Sequence, residues 1–315
     1  MNKNDRNQNV RFTVRDVVII NGNAGILAGE DRESVLGRIR QAFAEEGVDA
    51  EIRVLSGEAL RVAVANACDS DAERIFIGGG DGTVNLGAAM SAAADKVLAI
   101  LPMGTLNLYA QDLGIPLEPA DAVRALVNGR VRRVDYAEVN GNLYLGNSTV
   151  GILPPLTAQH EKTRGASILR RYGSILRVAA RLLWRNPRFQ ATLHMAERDL
   201  KMKVHGIVIC NNAYHDAYSL FSEPTPIDSG KLTVYMNRNP TRRGMLMLAL
   251  RLLLGTWRKD RDIEAFPTRE VTIETRRRRL RTVTDGEILE LWTPLRYRVV
   301  PLGLRVVVPK ERQPE

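Results

Sequence analysis

The chain has 315 residues, of which 44% are hydrophobic and 26% charged, with a formal net charge of +9. That length allows two domains of ordinary size, and the balance is that of a soluble globular protein. Two cysteines, Cys68 and Cys210, far apart in apolar stretches, are expected as reduced core residues rather than a disulfide, and the polar start MNKNDRNQNVRFTVRD lacks the apolar core of a signal peptide, so a cytoplasmic protein is expected.

In chain order, apolar runs at 17–20, 51–55, 74–77 and 97–101 alternate with helical segments at about 31–46, 58–67, 84–93 and 119–128. That alternation predicts a parallel sheet covered by helices on both faces. After position 131 the texture changes to short strand-like stretches, 132–139, 143–146, 191–195, 204–211, 232–236, 271–275 and 280–284, separated by turn residues. The expected fold class is therefore α/β plus β. A doubly wound parallel-sheet domain over residues 1–133, with 1–15 flexible, precedes a mainly antiparallel β-sandwich domain over 134–315 with inserted helices, whose last strand returns to the first domain. No internal repeat or low-complexity linker is present, so the domains are expected to abut.

Between the run 74–77 and the alanine-rich helix lies GGGDGTVN, Gly78 to Asn85. Glycine lets the main chain bring its N–H groups close to an anion, and the following helix aims the positive end of its dipole at the same point. One reading is a phosphate cradle; the other is a tight βα turn without a ligand. Asp81 favours the first, because a carboxylate among phosphate-binding amides needs a divalent cation or a hydroxyl nucleophile between them, which points to phosphoryl transfer with Mg²⁺. The run 97–101 ends in a second glycine turn, PMGTLN, where Gly104, Thr105 and Asn107 offer backbone, hydroxyl and amide groups. Two neighbouring parallel strands ending in such turns build one crevice.

The excess positive charge is mostly arginine, gathered at 164–188, at Arg242 and Arg243, and at 276–281. Segment 167–188, SILRRYGSILRVAARLLWRNPR, places apolar residues at near-helical spacing with arginines mostly opposite. It reads either as a basic amphipathic helix on anionic lipid headgroups or as a core-packed helix with a solvated arginine face. Nucleic acid is not expected, since aromatics are 5% and no recognition motif accompanies the arginines. The apolar stretch 245–257 is interrupted by Arg251 and would reach only about 20 Å, short of a bilayer core of about 30 Å. The four histidines lack zinc-site spacing, and no Gly-x-Ser-x-Gly elbow follows a strand.

GGGDGTVN followed by PMGTLN resembles the catalytic domain of the diacylglycerol kinase and sphingosine kinase superfamily, especially its soluble bacterial lipid kinases. NGNAG, comprising Asn21, Gly22, Asn23, Ala24 and Gly25, is similar to the first nucleotide loop of that family. NSTVG at 147–151 resembles the turn opening its second domain, and DGE, Asp285 to Glu287, its late acidic motif. The resemblance implies ATP held by residues 21–25, by Gly79, Gly80, Asp81, Gly82, Thr83, Val84 and Asn85, and by Gly104, Thr105 and Asn107. It implies Mg²⁺ on Asp81, and Asp285 or Glu287 as the base that takes the proton of a lipid hydroxyl, with the choice between them open. A lipid acceptor, an anionic membrane face and a second copy of the chain are the expected partners.

Three positions depart from the family pattern. Leu86 and Leu108 stand where the family commonly has acids, and in PIDSGKL Ser229 holds the place of an aspartate that binds a structural Mg²⁺, leaving Asp228 as a substitute. The alternatives to a lipid kinase are a kinase of a soluble nucleotide such as NAD and a non-catalytic nucleotide-binding or lipid-binding module.

Overall fold

The computed structural model describes residues 16–29, 31–151, 188–211, 227–237, 241 and 263–310. Segments 167–187 and 245–257, for which helices are expected, lie outside the described residues.

Strands β1 (Asp16–Asn21), β2 (Glu51–Leu55), β3 (Arg74–Gly79) and β4 (Val97–Pro102) form a parallel array in the order β2-β1-β3-β4. Their continuous apolar runs follow from burial on both faces: every residue of β4, and all of β3 except Arg74, is buried. The helices between them are the short α1 (Gly25–Gly29), α2 (Arg32–Glu45), α3 (Gly57–Asp69) and α4 (Asp81–Ala93). A short α5 (Leu108–Asp112) and α6 (Pro119–Val127) follow β4. Phe43 of α2 meets Phe76 of β3 edge to face, with ring centroids 5.2 Å apart. Pro119 opens α6, and the Glu118 side chain caps it by accepting from the Asp121 N–H at 2.9 Å. Cys68 and Cys210 are both buried and form no disulfide, as expected.

The remaining elements are strands: β5 (Arg130–Val139), β6 (Asn142–Tyr144), β7 (Asn147–Gly151), β8 (Phe189–Met195), β9 (Arg198–Val204), β10 (Gly206–Cys210), β11 (Leu232–Asn237), β12 (Ile263–Thr268), β13 (Glu270–Thr275), β14 (Arg279–Thr284), β15 (Glu287–Trp292) and β16 (Leu295–Val308). An antiparallel sheet runs β12-β11-β10-β7-β14-β15, so the α/β plus β class holds. Strands β8, β9 and β13 instead extend the first sheet through β16, which pairs with β13, with β5 and, in parallel, with β4.

Two strands run through both hydrophobic cores. β5 gives Val134 to the first and Ala137 and Val139 to the second, while β16 gives Leu304 and Val306 to the first and Leu295 and Tyr297 to the second. Between these halves the β5–β16 register shifts at a bulge between Val300 and Leu304, where Leu302 adopts φ +51°. The boundary expected at 133/134 falls inside β5.

Segment 147–151, expected as a turn, is strand β7, because Ser148, Thr149 and Val150 are buried between β10 and β14. The edge strand β9 alternates basic and apolar residues over most of its length, and β15 is interrupted by Glu290, so neither offers a long apolar run.

At the amino edge of the first sheet, Asp16 is buried and receives two bonds from the Arg74 guanidinium, at 2.8 and 2.5 Å, while Arg74 also donates to the Val127 carbonyl at 3.0 Å. Burial raises the Asp16 pKa, and Arg74 opposes that rise. Replacing Arg74 with leucine leaves a buried carboxylate without its cation. The Arg74→Leu variant is expected to lose about 3–5 kcal/mol in urea titration near neutral pH. The deficit should shrink as the pH is lowered and Asp16 becomes protonated.

Candidate active site

Three loops meet at the carboxyl ends of β1, β3 and β4. Asn21 closes β1 and donates from Nδ2 to Thr83 Oγ1 at 2.8 Å, while its Oδ1 accepts from the Asn23 N–H at 2.9 Å. The Ile26 N–H donates to the Met103 carbonyl at 3.2 Å, and the Met103 N–H to the Gly79 carbonyl at 3.0 Å. Gly80 and Gly104 touch backbone to backbone: a Cβ on Gly104 would lie 2.5 Å from the Gly80 Cα. Within PMGTLN, the Asn107 Oδ1 accepts from the Gly104 N–H at 2.8 Å and Nδ2 donates to the Gly104 carbonyl at 3.0 Å. That amide therefore holds the loop rather than facing outward. Thr105 is exposed, and its Oγ1 lies 3.5 Å from where a Gly25 Cβ would be.

Gly80 is the N-cap of α4, which begins at Asp81 and not at Val84 as expected. The Thr83 and Val84 N–H groups donate to the Gly80 carbonyl, so the first-turn amides of Asp81 and Gly82 are the ones left to an anion. Asp81 Oδ1 accepts the Leu108 N–H at 2.9 Å, joining α4 to the first turn of α5. Several residues of the expected nucleotide set have other surroundings. Ala24 and Val84 are buried in the core, the Gly22 N–H donates to the Leu55 carbonyl at 2.8 Å, and Asn85 Nδ2 donates to the Leu143 carbonyl at 3.3 Å. Leu86 packs against the first core, whereas Leu108 is half exposed.

The turn between β14 and β15 arrives from the second sheet. Asp285, at φ +46°, accepts the N–H groups of Leu145, Gly146 and Asn147 at 2.7, 3.0 and 2.8 Å, and its own N–H donates to the Asn147 carbonyl. Burial pushes its carboxyl up to about 6; the three N–H bonds oppose this, and the charge of Asp81 adds to it. Glu287 is exposed, and its Oε1 lies 2.8 Å from where a Cβ on Gly82 would sit. The second carboxylate of DGE therefore stands against the first turn of α4.

Two further groups were not anticipated. Asp112 ends α5, and desolvation together with the charge of Asp81 pushes its carboxyl up to about 6. The signal was available in sequence, since Asp112 lies one helical turn beyond Leu108, where an acid is missing. Tyr109 is 5% exposed with no hydrogen-bond partner for its hydroxyl, and burial, then the charges of Asp112, Asp285 and Asp135, hold that hydroxyl protonated.

Among the described residues no three His, Cys, Asp or Glu side chains converge as a metal cage. Asp81, with one oxygen engaged by Leu108, fits an ion that keeps most of its water and arrives with phosphate. Asp228 instead pairs with Arg132 Nη2 at 2.7 Å, and the Ser229 hydroxyl donates to the Lys231 carbonyl at 3.4 Å. Two hollows of about 370 and 680 Å³ lie at the opposite, amino edge of the sheet around Asp16, Arg53, Asp95 and Lys96, away from every glycine loop.

Residues 15–139 match the family model described as diacylglycerol kinase catalytic domain. A Serratia proteamaculans protein named "Probable lipid kinase YegS-like" is 38% identical over 141 residues, 43% of this chain and 44% of its own length. A Pseudomonas aeruginosa protein of the same name is 41% identical over 118 residues, 36% of this chain and 38% of its own. The chain thus spans less than half the length of these curated relatives.

A crystal structure of a diacylglycerol kinase from Bacillus anthracis superposes with a TM-score of 0.69 at 19% identity, covering 94% of this chain and 97% of the other. A second crystal structure from that organism gives 0.73 at 20% identity with the same coverage. At such identity the likeness is one of fold. The resemblance read from the glycine motifs is borne out: residues 15–139 match the diacylglycerol kinase catalytic domain family, within a whole-chain fold like that of the Bacillus anthracis diacylglycerol kinase.

Proposed function

We propose that the chain is an ATP-dependent kinase that transfers the γ-phosphoryl group to the hydroxyl of a lipid, diacylglycerol-like or sphingoid. The observation that carries this reading is the approach of Glu287, on the second sheet, to Gly82, in the first turn of α4. Acids carried by one sheet are thereby brought against first-turn amides carried by the other, the pairing of groups that phosphoryl transfer to a hydroxyl needs.

In this reading the amides of Asp81 and Gly82 and the dipole of α4 receive the phosphates, while Asn23, Gly25 and Thr105 line the nucleotide. Asp81 would hold Mg²⁺ arriving with ATP, directly or through water, and the ion would supply charge neutralisation on the phosphates. Asp285 is the base. Its orientation is fixed by three N–H bonds, its basicity is raised by burial, and one lone pair of Oδ2 remains for the acceptor hydroxyl. As the lipid oxygen attacks the γ-phosphorus in line, its proton passes to Asp285, the bond to the β-phosphate oxygen breaks, and ADP leaves. Glu287, beside Gly82, would add its charge to that of Asp81 in holding the nucleotide's cation.

Leu86 and Leu108 favour a second reading, a module that binds nucleotide without turnover. Labelled ATP offered with dispersed diacylglycerol, with a sphingoid base and with NAD separates these readings. Phosphate is expected on a lipid; labelling of NAD alone, or ATP binding with no transfer, overturns the lipid kinase. In the same preparations Gly104→Ala, which forces the Gly80 and Gly104 loops apart, should weaken ATP binding by about tenfold or more in calorimetry while leaving the far-ultraviolet spectrum unchanged.

Because the base must be ionised and its carboxyl is raised to about 6, kcat/KM is expected to rise with pH through an acidic limb near 6. Asp285→Asn should abolish that limb and lower kcat by about a hundredfold or more. A limb that persists in Asp285→Asn would transfer the role to Glu287.

The described arginine cluster supports contact with an anionic membrane surface. Arg276, Arg277, Arg278, Arg279 and Arg281 are all exposed, and Arg279 stacks 4.0 Å over the ring of exposed Trp292. Binding to phosphatidylglycerol vesicles should fall steeply as salt rises through the physiological range, where screening shortens to about 8 Å. Binding that ignores salt would remove the electrostatic contact.

A further inference from the structure

The hydrogen bonds behind Asp285 continue well past the turn it closes. Asn211 is fully buried; its Nδ2 donates to the carbonyls of Leu145 and Asp135, both at 3.0 Å, and its backbone N–H donates to the Gly146 carbonyl at 2.9 Å. Asp135, 1% exposed, accepts the Gly230 N–H on Oδ2 at 2.6 Å and the Leu302 N–H on Oδ1 at 2.8 Å. The Asp135 N–H donates to the Ile227 carbonyl at 2.9 Å. Arg132, on the same strand, binds Asp228 at 2.7 Å. A chain of bonds therefore runs from the Arg132–Asp228 pair at the surface, along the 227–230 segment, through Asp135 and Asn211, to the 145–147 backbone that grips Asp285.

Family resemblance places a hard cation on the loop that contains Asp228 and Ser229, but the groups here do not fit one. The Asp228 carboxylate is engaged by a guanidinium, the Ser229 hydroxyl points to a carbonyl, and the Asp135 oxygens are taken by amides. A cation in this loop would have to displace Arg132 from Asp228 and would find few anionic oxygens left. The guanidinium already supplies the positive charge, and the amides satisfy the buried carboxylate.

We propose that Arg132, Asp135 and Asn211 are positioning residues: the Arg132–Asp228 pair and the Asp135 carboxylate close the 227–231 loop in place of a divalent cation, and through Asn211 they fix the 145–147 turn that orients Asp285. The importance of that orientation rests on reading Asp285 as the base, whereas the wiring itself can be tested without activity. Hydrogen exchange read by mass spectrometry on the full chain, without nucleotide, compares wild type with Arg132→Met, Arg132→Lys and Asn211→Ala. Exchange of the 145–147 amides should speed up by about tenfold or more in Arg132→Met and Asn211→Ala, stay near wild type in Arg132→Lys, and remain unchanged at 80–83 in all. Arg132 is half exposed, so its variants report even where Asn211→Ala fails to fold.

Unchanged protection at 145–147 in Arg132→Met overturns the wiring, and a rise in the wild-type Tm with millimolar Mg²⁺, or a fall with chelator, overturns the replacement of the cation. In turnover, Arg132→Met should lower kcat by about tenfold with KM for ATP unchanged. The expected exchange pattern in a protein that transfers no phosphate would uphold this inference and remove only the kinase reading.

Discussion

The continuity of β5 and β16 through both hydrophobic cores is the constraint on which the rest of the structure depends. Each strand carries side chains of the parallel array at one end and of the β-rich half at the other, so neither core can shift without bending a paired ladder. The shift in register between Val300 and Leu304 lets one strand serve two layers, and Asp135 secures it by binding the Leu302 N–H. With that joint fixed, the β14–β15 turn is carried to the first turn of α4, and the acids of DGE meet the glycine loop across the boundary between sheets.

The first half of the fold was legible in sequence because both of its signals are local. Strands buried on both faces read as unbroken apolar runs, and the helices between them carry their own starts and stops, as Pro119 and Gly129 show for α6. The second half was legible in class but less so in detail. β9 and β15 lie at sheet edges, the first rich in charge and the second interrupted by Glu290, and Pro294 just before β16 and Pro301 within it conceal the length of that strand. Which sheet β8 and β13 would join depended on pairing with β16, a contact with no local sequence signature.

For the candidate site, sequence identified the loops but not the uses of individual atoms. Asn107 and Asn85 have the right chemistry for a ligand, yet their amides are committed to Gly104 and Leu143. Asp285 and Glu287, indistinguishable in sequence, differ sharply in space: one is fastened by three amides, the other exposed beside Gly82. Asp135 and Asn211 carry no motif at all, because their role comes from long-range hydrogen bonds between segments far apart in the chain.

Glu287 stands beside Gly82, and Asp112 and Asp285 both feel the charge of Asp81, so four acids gather near the first turn of α4 even though the chain as a whole is basic. Under the proposed kinase reading, an uncomplexed polyphosphate would be repelled by these carboxylates more strongly than one already partly neutralised. Under that reading, this gathering of carboxylates would set the sign of the charge that a ligand brings to α4, so the metal and the phosphates would have to arrive together.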